Sequence, residues 1–191
     1  MPLPIVLYGD PVLRKKGAEI ARVDAAVRHL AAEMIEAMRA HRGVGLAAQQ
    51  VGRALMLCVV DVREVERPSQ IFLGGREVSV EKHMPIVLVN PRLLESPGTE
   101  EGVEGCLSFP GLSAAVPRSP SVQVSALGLD GHPLALMATG FLARAIQHEV
   151  DHLNGVLFID RMSPGAREPI EPDIKRIERA TKAELKKRKR R

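Results

Sequence analysis

The sequence predicts an α+β fold: antiparallel or mixed β-sheets packed around a central helix carrying an H-E-x-x-H motif, with one helix near the N-terminus and another near the C-terminus. Three observations point there. Apolar residues recur at helical spacing around residues 24–43 and again around 140–154. Strand-like runs of Val, Leu and Ile gather between those two segments. No regular strand–helix alternation runs through the chain, which argues against a doubly wound parallel sheet.

Taken in order, Asp24 is a helix N-cap candidate, followed by Val27, Leu30, Ala31, Met34, Ile35 and Met38 and closed by Gly43. Residues 55–62 and 85–89 read as buried strands. The stretch between them, around Gly74 and Gly75, reads as a loop or irregular hairpin of unassigned purpose. Residues 121–127 alternate, and Asp130-Gly131 turns the chain back into residues 133–138, a β-hairpin. Thr139 or Gly140 opens a second helix through Asn154, with Gly155 as its C-terminal cap and Phe141, Leu142, Ala145, Ile146 and Leu153 holding it inside the fold. Residues 163–172 contain three prolines and read as a linker. Ile174, Ile177, Ala180 and Leu185 then support a last helix that ends in six consecutive Lys or Arg residues, 186–191.

A chain of 191 residues suits one core, so residues 1–164 are expected to form a single catalytic domain and 165–191 a linker with a basic helix or tail. A hydrophobic fraction of 45% with 26% charged residues excludes a disordered chain. Only 3% of residues are aromatic, which argues against base-stacking platforms. No apolar run reaches 18 residues, so no membrane span is expected. The N-terminus lacks the basic region and apolar core of a signal peptide, which predicts a cytoplasmic protein. The net charge of +4 is concentrated at one end: residues 171–191 carry ten Lys or Arg against four Asp or Glu, leaving the preceding 170 at −2. No DNA partner follows from so local a basicity. The two cysteines, Cys58 and Cys106, make no disulfide framework; Cys58 lies in an apolar run and reads as a core residue.

The chemistry concentrates at His148, Glu149 and His152. Residues four apart on a helix lie about one turn apart, so two imidazoles can converge on one ion. Glu149, about 100° around the helix from His148, projects beside that ion and is free to act as a general base. A catalytic site of this kind needs a third protein ligand and an open position. The metzincin continuation would put a histidine at 158, where this chain has Phe158. A thermolysin-like ligand would be Glu168 or Glu171, both in the Pro-rich stretch, where nothing evident fixes their geometry. Cys106, in Glu-Gly-Cys-Leu-Ser at 104–108 among several glycines, is the remaining candidate, and its thiolate is a strong ligand for zinc or ferrous iron. Residues 43–50, Gly-Val-Gly-Leu-Ala-Ala-Gln-Gln, add a chain that can pass close to another backbone and an amide able to donate to an oxyanion.

These three segments, 43–50, 104–108 and 147–152, together resemble the signatures of the peptide deformylase family, and the resemblance spans roughly residues 3–164. It implies hydrolysis of the formyl group from the N-terminal formylmethionine of new polypeptides. Cys106, His148 and His152 would be the metal ligands, and Glu149 the base for the attacking water. Gln50 and the Leu107 backbone N–H would donate to the developing oxyanion, and Val44, Gly45 and Gly105 would pair with an extended peptide. The resemblance implies Fe²⁺ as the ion, with zinc, nickel or cobalt as replacements. The partners it implies are formylmethionyl nascent peptides, and the basic C-terminal tail adds a candidate ribosome contact. One departure stands out: residues 112–115 carry no charge where relatives have an arginine facing the acidic residue of the E-G-C motif, which leaves Glu104 without that partner. Two rival functions remain at this point, a metalloendopeptidase and a structural-metal RNA-binding protein.

Overall fold

In the computed structural model, which describes residues 2–188, Asp24 caps α1 (Ala25–Ala40) by accepting a hydrogen bond from the Val27 N–H. A turn through Arg42 and Gly43 leads to β1 (Gly45–Ala47), a 3-10 turn (Ala48–Val51) and β2 (Leu57–Val60). Next come β3 (Ser69–Leu73), β4 (Arg76–Val78) and the short helix α2 (Val80–His83). β5 (Ile86–Glu95), β6 (Glu100–Gly105) and β7 (Ser113–Arg118) are followed by the hairpin of β8 (Ser121–Leu127) and β9 (Pro133–Thr139). Helix α3 (Gly140–Leu153), the single turns α4 (Phe158–Arg161) and α5 (Pro164–Arg167), and the long α6 (Glu171–Arg188) complete the chain.

Seven strands in the order β1-β2-β5-β8-β9-β3-β4 form one antiparallel sheet, and β6-β7 form a separate antiparallel ribbon. The alternation of side chains along β2 and β5 divides the interior in two. Leu57, Val59, Val87 and Val89 face a core shared with α1, whereas Cys58, Val60, Ile86 and Leu88 face one shared with α3. Twelve of the 14 residues of α3 are buried as a result. A third cluster, built on Phe109, Phe158, Leu13 and Ile174, lies beneath the segment that carries Cys106.

The structure bears out both helices and the β8–β9 hairpin, and it corrects other expectations. The strand expected to end at residue 89 runs on to Glu95 through a bulge at Asn90-Pro91; Pro91 lacks a donor, and the side-chain amide of Asn90, at φ 52°, instead bonds both the N–H and C=O of Ile20 at 2.9 Å. The stretch around Gly74 and Gly75 is a regular hairpin, β3–β4, whose β3 edge pairs with β9. The Pro-rich segment 163–172 is not an extended linker. Its prolines sit in first helical turns, where a missing N–H costs nothing, and α6 docks Ile174 at 2% exposure into the third cluster. Of the basic run 186–191, residues 189–191 lie outside the described residues. Among those described, no helix is long and apolar enough to cross a membrane.

Candidate metal centre and substrate cleft

Helix α3 places His148 and His152 one turn apart with ring centroids 5.0 Å from each other. Cys106, half-buried just past the end of β6, completes a group whose donor atoms all lie within 4.8 Å of one another. The Cys106 Sγ is 3.3 Å from His152 Nε2. His148 Nδ1 lies 2.9 Å from Glu104 Oε2, which fixes the ring and leaves its Nε2 for the cluster. Burial pushes the His152 imidazole well below its ordinary range and keeps it neutral, as a ligand must be. A thiol and two imidazoles within this radius fit a zinc- or iron-type ion. Of the rival third ligands, Glu171 pairs with Arg167 and Lys175, and the position where a metzincin histidine would stand is Phe158, packed edge-on against Phe109.

Glu149 sits beside this group. Burial raises its pKa from the usual carboxylate range to about 7, and its Oε2 has no hydrogen-bond partner among the described residues. The room it occupies is provided by Gly45, where a Cβ would come within 2.3 Å of Glu149 Oε1. Gln50, buried on the 3-10 turn after β1, is aimed by its own amide: Oε1 accepts from the Ala47 N–H at 2.8 Å, so Nε2 points toward Ser108 Oγ at 3.4 Å and Cys106 Sγ at 3.5 Å. The Leu107 N–H finds no acceptor among the described residues and follows the thiol directly in sequence. Two donors and one carboxylate thus surround the three-donor group.

A cleft of about 600 Å³ opens onto this group, with Val44, Gly45, Gly105, Cys106, Leu107 and Glu149 in its lining. It is bounded by two unpaired strand edges. β1 is the outermost strand of the large sheet, and Val44 C=O and Ala47 N–H are already engaged, with Asp61 and Gln50 respectively. Ladder alternation therefore turns the Gly45 N–H and C=O to the free edge. β6 pairs on one side only, with β7. An extended peptide can add to either edge through its main chain.

Glu104 does have arginine partners, contrary to the expectation drawn from residues 112–115. Arg118, three positions further along β7, donates to both its oxygens at 2.9 and 3.0 Å, and Arg144 of α3 adds a third bond at 3.0 Å. Burial alone would raise the Glu104 pKa, but the bonds from His148 and Arg118 outweigh it and hold it at about 2. Arg118 also bonds Asp151 at 2.5 Å, and Arg161 bonds the same carboxylate at 2.7 Å. Arg144 further donates to the backbone carbonyls of Glu100, Gly102 and Val116. Gln147 ties both the N–H and C=O of Ser119 to the helix. Sequence reasoning missed Arg118, Arg144 and Asp151. A signal for two of them existed: Arg144, His148 and Asp151 fall at i, i+4 and i+7, one face of α3.

The family model described as polypeptide deformylase matches residues 2–168. A peptide deformylase of Methylacidiphilum infernorum is 47% identical over 179 residues, covering 94% of each chain. Among solved structures, a plant peptide deformylase superposes with a TM-score of 0.81 at 34% identity, covering 96% of this chain and 93% of that one. The peptide deformylase of Synechococcus elongatus in complex with actinonin does so with a TM-score of 0.76 at 36% identity, covering 90% of this chain and 86% of that one.

Proposed function

The chain belongs to the polypeptide deformylase family and is a hydrolase, and from that premise we propose that it removes the formyl group from the N-terminal formylmethionine of nascent chains in the cytoplasm, using Glu149 as general base beside an Fe²⁺ held by Cys106, His148 and His152. Zinc, nickel or cobalt can take the place of iron in this donor set. The bound ion would supply Lewis-acid polarisation of the formyl oxygen and a lowered pKa for water. Glu149 takes the proton from the attacking water and returns it to the departing amine. Gln50 Nε2, held by the bond from the Ala47 N–H to its Oε1, and the Leu107 N–H donate to the oxyanion as charge develops. Val44, Gly45 and Gly105 hold the peptide extended along the free strand edges.

The observation that carries this reading is Glu149: a buried carboxylate with a pKa near neutrality and an unpartnered oxygen, next to three convergent donors. The buried, paired Glu104 is held low; a carboxylate left unpaired beside a cleft is placed to move protons. The test offers anaerobically prepared Fe²⁺ protein formyl-Met-Ala-Ser beside its acetylated and unblocked counterparts. Formate release from the first alone is expected. Cleavage of internal bonds would favour an endopeptidase, and full activity in Glu149→Ala would remove the base.

The six consecutive Lys or Arg residues 186–191 also support a contact with ribosomal RNA phosphates, close to where nascent chains emerge. Because Ile174 anchors α6 in the core, substitution of the Lys and Arg residues 186–191 by Gln tests this better than truncation. Ribosome co-sedimentation that is unchanged across salt concentrations would discard the contact.

A further inference from the structure

The mouth of the cleft carries two guanidinium groups that no carboxylate neutralises. Arg42 stands at the corner between α1 and β1, its backbone fixed at φ 55° by the bonds Arg42 N–H to Arg39 C=O and Gly43 N–H to Met38 C=O. Arg67 comes from the loop between β2 and β3, and its guanidinium lies 5.1 Å from the centre of the Phe141 ring, which also borders the cleft. That stacking holds a cation at the rim instead of leaving it to sweep through solvent. Neither arginine lies within ion-pair distance of an acidic group among the described residues. Glu64 and Glu66 precede Arg67 in sequence but do not border the cleft.

The carboxylates that do line the cleft offer no balancing charge at its mouth. Glu104 is spent on Arg118, Arg144 and His148, and Glu149 is buried behind Gly45. A peptide laid along β1 therefore passes a rim of one sign, in a cleft whose low-dielectric walls focus the field.

We propose that Arg42 and Arg67 form an acidic-side-chain subsite, so that the enzyme favours formylmethionyl chains with Asp or Glu at the second or third residue and disfavours those with Lys or Arg there. This rests on the deformylase reading above and names the substrate class within it. In an extended chain successive residues rise about 3.3 Å and alternate sides, so the second and third residues explore both walls beyond the methionine. Both arginines keep solvent contact, so the preference is modest and salt-sensitive.

The experiment measures kcat/KM of the Fe²⁺ enzyme for formyl-Met-Ala-Ser and for the series with Glu or Lys at position two or three, at low and high ionic strength. A Glu-over-Lys ratio of roughly tenfold at low salt, shrinking as salt rises, is expected. Arg42→Gln with Arg67→Gln should bring the ratio toward one, and Arg42→Glu with Arg67→Glu should invert it. Because each protein is read as a ratio between its own substrates, loss of the Phe141 contact in the variants cancels. Hydrolysis of formyl-Met-Ala-Ser with no Glu-over-Lys preference, or a preference that survives both double variants, would overturn the subsite and leave the deformylase reading standing. Failure to hydrolyse every formylated peptide would instead remove the reading on which the subsite rests.

Discussion

Helices α3 and α6 both carry many polar and charged residues, yet they treat them in opposite ways. α3 buries Arg144, Gln147, His148, Glu149, Asp151 and His152, and all but Glu149 hold a hydrogen bond or ion-pair partner on the ribbon, on the β7–β8 connection, on the cysteine segment, or on α4. α6 buries only Ile174 and Ile177 and lays its charges on the surface in local pairs such as Lys182 with Glu178 and Arg176 with Asp173. The difference follows from surroundings: a charge taken out of water must be met by specific partners, whereas one left in water needs none. On α3, therefore, the missing partner of Glu149 marks a residue kept for another purpose. On α6 the same absence would mean nothing.

The contrast breaks most visibly at Glu149. Glu149→Gln keeps size and burial but cannot accept a proton, and kcat/KM for a formylated peptide should fall by roughly 10²–10⁴-fold with bound iron unchanged by metal analysis. Equal loss of iron would make Glu149 a ligand and not a base. Next in size is Glu104→Ala, which strands Arg118 and Arg144 and frees the His148 ring. Urea denaturation should show a loss of about 3–5 kcal/mol, and a chelator competition should show metal affinity weakened by about 10–100-fold. The wild-type chain should also reveal this carboxylate through pH. Its folded pKa of about 2 lies below the ordinary 4.5, so its contribution is fully present above 4.5 and fades as pH falls toward 2. In Glu104→Gln the stability profile should be flatter across that window, and an unaltered slope would contradict the bonding described.

On α6 the ranking reverses between apolar and charged residues. Ile174→Ala should cost about 2–4 kcal/mol in the same denaturation assay, because it empties a site beside Phe109 and Phe158. Glu178→Ala, which removes the exposed pair with Lys182, should cost less than about 0.5 kcal/mol. A large effect there would mean that α6 relies on its charges after all.

The same contrast explains what could be read in advance. α1, α3 and the β8–β9 hairpin were legible because their apolar periodicity and end signals, Asp24 and Asp130-Gly131, lie within a few residues of one another. The candidate metal donors were legible on α3 by helical spacing and at Cys106 by elimination, and the structure gathers all three within one group. β6 and β7 were not, since glycines at 102, 105 and 111 look like bends while the ribbon's order comes from cross-strand pairing and from Arg144 reaching into it. Arg118 was missed for a related reason. It meets Glu104 across 14 positions, reaching along the ribbon from a register opposite Glu100, and a window centred on the motif cannot contain that reach. The prolines of 163–172 misled because the same residue ends one helix and begins another.

One pair of residues has a longer reach than its bonds suggest. A Cβ at Gly102 would lie 2.8 Å from the Arg144 guanidinium carbon, so the absent side chain of one position is the housing of the other. The two sites share a single allotment of volume, and neither can drift alone: a larger residue at 102 demands a shorter one at 144, after which Glu104 must find another donor. Homologues should therefore vary these positions jointly. In the laboratory a bulky residue at 102 should be rescued by shortening 144, a compensation visible in a double-mutant cycle that no inspection of either residue by itself would foretell.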